Sequence, residues 1–174
     1  MCSPSQSVED HQFGPHKIRA SEIFASTELS FAFVNLKPVV PGHVLVCSRR
    51  VVQRFTRLQP AEVADMWCLA QKAGQVVEPH FGATSLTLAI QDGIHAGQSV
   101  PHVHVHVLPR RPGDFKNNDD VYDAIDDASK AAVSGEGEKL DLDAERKVRT
   151  PEEMAAEAQE LRVAFQQLHS TEQT

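Results

Sequence analysis

The sequence predicts an α+β domain, an antiparallel sheet covered by two main helices, and three observations carry that expectation. Apolar stretches of strand length recur at residues 29–36, 43–47, 85–91 and 101–109, with turn chemistry at Pro41-Gly42 and Asp92-Gly93 between them. Two longer segments, opening at Pro60 and Pro151, repeat apolar residues at helical intervals. The resulting order is strand, hairpin, helix, strand, strand, long loop, helix, which suits a sheet with helices packed on it.

At 174 residues the chain is one domain's worth. Residues 1–12 read as a disordered lead-in, 13–168 as the single domain and 169–174 as a polar tail. The net charge of −7, without basic runs, argues against a nucleic-acid partner held through its phosphates. Cys2, Cys47 and Cys68 share no CxxC spacing, so neither a disulfide framework nor a cysteine zinc site is expected. The polar first residues, broken by Pro4, Gly14 and Pro15, carry no signal-peptide pattern. No apolar run reaches the ~20 residues of a membrane span, so no membrane partner is expected. The expected location is cytoplasmic, with the nucleus also open.

Taken in order, Phe13–Phe24 is expected to hold a short edge strand, and Leu29–Leu36 a strand of mostly apolar residues. Pro41-Gly42 fits the two central positions of a type II turn, with His43–Cys47 as the return strand. Pro60 starts the first helix, with Val63, Trp67, Ala70, Gly74 and Val77 at helical spacing and Met66 and Ala73 beside them, and Pro79 should stop it near Val77 or Glu78. Ser85–Gln91 alternates, placing Leu86, Leu88 and Ile90 on one face. Residues 116–149 are acidic and poor in apolar residues, and read as a mobile loop with a turn of helix around Val121–Ala128. Thr150-Pro151-Glu152-Glu153 is a capping box, opening a second helix whose face is Met154, Ala158, Leu161, Phe165 and Leu168.

The chemistry concentrates in Pro101-His102-Val103-His104-Val105-His106-Val107-Leu108-Pro109. On a strand the three histidines share one face and the three valines the other, successive imidazoles lying roughly 6.6 Å apart. Three readings compete for such a row. It is a solvated polar face, a metal site built on His-x-His, or a nucleophile with partners acting at phosphorus. Metal sites of this kind recruit a further ligand nearby, whereas the closest candidates here are Asp114, beyond a Pro-Gly break, and His95 in a loop. A neutral imidazole is a good nucleophile, and its ordinary pKa near 6.5 keeps it mostly neutral at pH 7. A neighbouring histidine can serve the leaving oxygen.

His-Val-His-Val-His-Val-Leu resembles the signature of the histidine-triad (HIT) superfamily in full. Further segments resemble its Fhit branch: Ser30–Asn35, Lys37–Cys47, Glu62–Asp65, Gln91–Gly93, Ala96–Ser99, Arg110 with Gly113–Phe115, and Met154–Glu157. The resemblance covers roughly residues 13–168. It implies a HIT-like fold, a homodimer whose sheets join across the two-fold, and hydrolysis of dinucleoside polyphosphates, diadenosine triphosphate giving AMP and ADP. It also implies a divalent cation, Mg or Mn, that accompanies the substrate and is not held by protein ligands. In the roles it implies, His104 is the nucleophile, His106 contacts the phosphate oxygens and assists the leaving group, and the carbonyl of His102 orients His104. His43 would hydrogen-bond to His102, Asn35 would bind the ribose, and Gln91, Gln98 and Ser99 would surround the phosphates. Phe13, Ile18, Phe33 and Leu45 suit the walls of an adenine pocket or equally the core. Two other functions share these features: a nucleoside phosphoramidase of the Hint branch, and a nucleotide-sensing interaction protein in which the bound dinucleotide is the signal.

Overall fold

The computed structural model describes residues 9–133 and 148–171. A hairpin of β1 (His11–Phe13) and β2 (His16–Ile18) precedes five strands: β3 (Ile23–Ser26), β4 (Ser30–Val34), β5 (Val44–Ser48), β6 (Ser85–Ala89) and β7 (His104–Arg110). These form one antiparallel sheet in the order β3-β4-β5-β7-β6. The helices are α1 (Pro60–His80), α2 (Asp120–Val133) and α3 (Pro151–Thr171).

Alternation along the central strands divides the molecule. Val44 and Val46 of β5 and Val105 and Val107 of β7 point to one face, where α1 and α3 bury them under Met66, Leu69, Ala73, Ala158, Leu161 and Phe165. The opposite face carries Phe31 and Phe33 of β4, Leu45 and Cys47 of β5, and the histidines of β7, since Cys47 pairs with His104 and Leu45 with His106. The β1–β2 hairpin lies over this face through Phe13 and Ile18. α2 covers the Leu108 end through Val121 and Ile125, which meet Val40 and Leu108.

Local chemistry explains the main boundaries. Gly42 has φ 82°, and the amide of His43 bonds back to the carbonyl of Val40, closing the expected turn. The amide of Thr150 donates to Glu153 at 2.8 Å, and that of Glu153 to the Thr150 hydroxyl at 3.2 Å, so the capping box forms.

Several expectations are corrected. The lead-in ends before residue 11, because His11–Phe13 pairs with His16–Ile18; residues 1–8 lie outside the described residues. α1 runs past Pro79 to His80. Pro79 falls in the last turn, and the amide of Phe81 still reaches the carbonyl of Val77. The buried stripe of α1 takes in the expected Met66, Ala70, Ala73, Gly74 and Val77 and adds Leu69 and Val76, but it leaves Trp67 37% exposed. Leu88 is 42% exposed, whereas Leu86 and Ile90 pack on the core. Residues 120–133 of the expected loop are helical, since Val121 and Ile125, four apart, give α2 an apolar anchor. The rest of that segment, 134–147, lies outside the described residues. α3 takes in the first residues of the expected tail and ends at Thr171.

Candidate active site

β7 begins at His104, because Pro101 has no amide to donate and the chain bends through Pro101-His102, where the His102 amide bonds to the carbonyl of Val100. His104 and His106 therefore stand side by side on the strand, with ring centroids 4.8 Å apart. His102 sits just behind them, fully buried, its ring 5.8 Å from that of Phe13. A cavity of ≈ 550 Å³ opens over the pair. It is lined by Phe13, Ile18, Phe33 and Leu45 on its apolar side and by Asn35, His43 and Ser99 on its polar side.

Backbone groups fix the proton on each ring. Nδ1–H of His104 donates to the carbonyl of His102 at 2.8 Å, which leaves the Nε2 lone pair as the free nucleophilic position. The amide of Val39 donates to Nδ1 of His43 at 3.2 Å, so neutral His43 carries its proton on Nε2. That proton is donated to Nδ1 of His106 at 3.0 Å, which places the His106 proton on Nε2. Nε2 of His106 is buried and has no partner among the described residues, so a donor stands ready beside the nucleophile. The amide of Gly14 similarly occupies Nδ1 of His102 at 3.1 Å. Its Nε2–H then donates toward the Arg50 carbonyl and the Ser48 hydroxyl, each at 3.2 Å.

Burial favours the neutral form of all three rings in the row His102, His104 and His106. Burial pushes the His104 pKa down to about 4. Burial, then the neighbouring His104 and His43, hold His106 well below the ordinary histidine range, and burial also lowers His102. Two neutral imidazoles, one offering a lone pair and the other an N–H into the same cavity, can attack an electrophilic phosphorus and receive the charge that leaves it.

The sequence-predicted residues divide accordingly. His104, His106, His43, Asn35 and Ser99 meet at the cavity, with His102 behind. His43 meets His106 rather than His102, because both His102 ring nitrogens are engaged elsewhere. The Asn35 carboxamide oxygen accepts from the amide of Lys37 at 2.9 Å, and its Nδ2 lies 3.4 Å from the ring nitrogens of His43. Gln98 is turned into its own loop, accepting from the amide of Gly93 and donating to the carbonyl of Gln53. The amide of Gln91 donates to the carboxylate of Asp126 on α2. Four contributors lay outside the sequence reading. These are the amides of Gly14 and Val39, Ile125 in the cavity wall, and Arg149, whose guanidinium grips the carbonyl of Asn35 while pairing with Glu157 at 2.7 Å. Backbone amides leave no mark in a residue pattern, and Arg149 is one of three cations, with Arg146 and Lys147, in a short stretch before a helix cap, where nothing local singles it out.

The HIT domain family matches residues 17–113, and the chain belongs to that family. It is 52% identical over 161 residues to the bifunctional bis(5'-adenosyl)-triphosphatase/adenylylsulfatase FHIT of Arabidopsis thaliana, covering 92% of this chain and 87% of that one. It is 49% identical over 155 residues to the bis(5'-adenosyl)-triphosphatase of Dictyostelium discoideum, covering 89% and 93%. The crystal structure of the C. elegans NitFhit protein matches with a TM-score of 0.73 at 40% identity, covering 93% of this chain and 32% of that chain. Within the HIT family the chain falls in the Fhit branch.

Proposed function

We propose that the protein hydrolyses diadenosine triphosphate to AMP and ADP through a covalent nucleotidyl-His104. The observation that carries this reading is the proton arrangement: a free Nε2 lone pair on His104 beside a free Nε2–H on His106, at a cavity of ≈ 550 Å³ with one apolar and one polar side. His104 Nε2 attacks the α-phosphorus, the new P–N bond forms, and the P–O bond to ADP breaks. A terminal phosphate leaves readily as the anion, so His106 needs only to donate a hydrogen bond to the departing oxygen. The His104 ring becomes imidazolium-like in the intermediate, and its Nδ1–H strengthens its bond to the His102 carbonyl. Water then attacks phosphorus as the P–N bond breaks and its electron pair returns to His104 Nε2, the water's proton passes to solvent, and AMP leaves with neutral His104 restored. Asn35 and Ser99 position the ribose and phosphates, and Mg or Mn accompanies the substrate, offsetting phosphate charge.

His104→Asn tests the assignment. Rapid-quench turnover of diadenosine triphosphate should fall by several orders of magnitude with modest loss of binding, on the order of what losing an attacking group costs. An unreduced rate would sink it. The adenylyl intermediate does not itself specify the leaving group, and the A. thaliana relative's name includes adenylylsulfatase activity. Parallel assays on adenylyl sulfate and an adenosine phosphoramidate settle the preference; a large phosphoramidate preference would favour the Hint-type reading.

We also propose a homodimer joined through β6. That strand is a sheet edge with β7 as its neighbour, and the exposed Leu88 lies on it, while α1 exposes Trp67. Light scattering on the purified chain, giving one or two copies, decides this.

A further inference from the structure

The contact between Gln91 and Asp126 sets a carboxylate against a residue that the reaction proposed above would use to hold phosphate. The ladder between β6 and β7 ends with Ala89 opposite His106. Gln91 lies two residues past that end, where continuing the alternation puts it on the histidine side of the sheet. The HIT-family resemblance implies that Gln91 is one of the residues around the phosphates, and its amide can donate to a phosphate oxygen. In the free protein that donor is taken by Asp126. Gly97, at φ 85°, passes so close that a Cβ there would collide with both the Asp126 carboxylate and the Gln91 amide. The carboxylate is thus packed into the turn that precedes the histidine strand.

α2 fixes Asp126 there through neighbouring residues. Val121 and Ile125 are buried against Val40 and Leu108, and Ile125 also lines the cavity. The carboxylate is the side chain next to a cavity-wall residue, on a helix whose other anchors lie on the same sheet face.

We propose that Asp126 is a specificity-determining residue that selects substrates by the negative charge beyond the α-phosphorus. This inference rests on the adenylyl-transfer reading above. A carboxylate on Gln91 mimics a phosphate oxygen, so an incoming phosphate must displace it or lie beside it. Like charges at this range repel, and the repulsion grows with each further phosphate. Asp126 therefore penalises long polyphosphate chains most and singly charged leaving groups least. A divalent cation on the substrate relieves the penalty.

The test compares wild type with Asp126→Asn and Asp126→Ala, at fixed ionic strength with and without magnesium. Asn keeps the shape and an acceptor for Gln91 but loses the charge. For diadenosine tri-, tetra- and pentaphosphate without magnesium, kcat/KM should rise by about five-fold for the shortest and progressively more for the longer. kcat should change less than about twofold, since the chemistry on His104 is untouched. Calorimetric binding of AMP, ADP and ATP gives a readout independent of turnover. Both variants should gain affinity in the order ATP, ADP, AMP, and magnesium should shrink the gain. Equal ATP-to-AMP affinity ratios in all three proteins overturn the inference, as does weaker binding of ATP by the variants. Failure of wild type to turn over any of these substrates would instead refute the hydrolase reading and leave the binding ratios to judge Asp126.

Discussion

Acidification should destabilise this protein in a window set by its buried histidines. His104 titrates at about 4 in the folded protein against an ordinary value of 6.5, because its ring is shut away from water. Between those two values the unfolded chain binds a proton that the folded one refuses, so stability falls as pH falls. The contribution is complete above pH 6.5 and is lost progressively down to pH 4. Between pH 7 and pH 5, His104 alone should remove about 2 kcal/mol. His102 and His106 are lowered in the same direction and add to the loss. The depressed carboxylates Glu62, Asp92 and Asp114 also lose their contribution on acidification, but in a window lying lower in pH. Their contributions persist above their ordinary values of 4.5, 3.8 and 3.8, so pH 5 to 6.5 isolates the imidazoles. Urea unfolding at half-unit steps from pH 7.5 to 5, on wild type and His104→Asn, reads the effect. The variant should show a shallower slope by His104's share. Identical slopes, or a wild type that gains stability on acidification across this window, would refute the burial argument. Turnover should stay flat from pH 8 to pH 6, where His104 remains neutral.

Three further perturbations follow from the same geometry. His43→Phe keeps a ring in place but removes the donor that sets the His106 proton, so kcat should fall about 10²-fold with little change in nucleotide affinity, measured by single-turnover quench and calorimetry. Arg149→Ala releases the carbonyl of Asn35 from its guanidinium clamp; KM should rise about tenfold, and kcat less than twofold, in steady-state assays. Thr150→Ala removes half of the capping box of α3 and should lower stability by about 1 kcal/mol in urea titration, leaving turnover unchanged.

The parts legible in the sequence are those whose cause is local. The alternation of His104, Val105, His106 and Val107 gives a strand with two unlike faces before any partner is known. The turn at Pro41-Gly42 and the cap at Thr150 are likewise short-range chemistry. What was missed depends on pairing across the chain. A short edge strand is expected within Phe13–Phe24, but β1 and β2, with three residues each, are too short to show that they pair as a hairpin bringing the Phe13 ring to 5.0 Å from that of His104. In α2 the pair Val121 and Ile125 is hidden among acids, and becomes an anchor because Val40 and Leu108 stand opposite. Trp67 follows helical spacing but falls at the margin of the stripe that the sheet covers.

The chemistry of the site follows the same division. A row of alternating histidines supplies imidazoles, but an imidazole has two neutral forms, and one of them is wrong for each role. Three backbone groups make the choice here. The carbonyl of His102 holds the proton of His104 away from the cavity, the amide of Val39 directs that of His106 toward it by way of His43, and the amide of Gly14 fixes His102 behind them. Gly14 belongs to the hairpin laid over the sheet, and Val39 to the turn between β4 and β5. A strand with the same histidines, lacking that hairpin and that turn, would leave the protons free to sit on either nitrogen. Nucleophile and donor are thus distinguished by the fold around the motif, and burial, which keeps all three rings neutral at pH 7, makes that distinction hold.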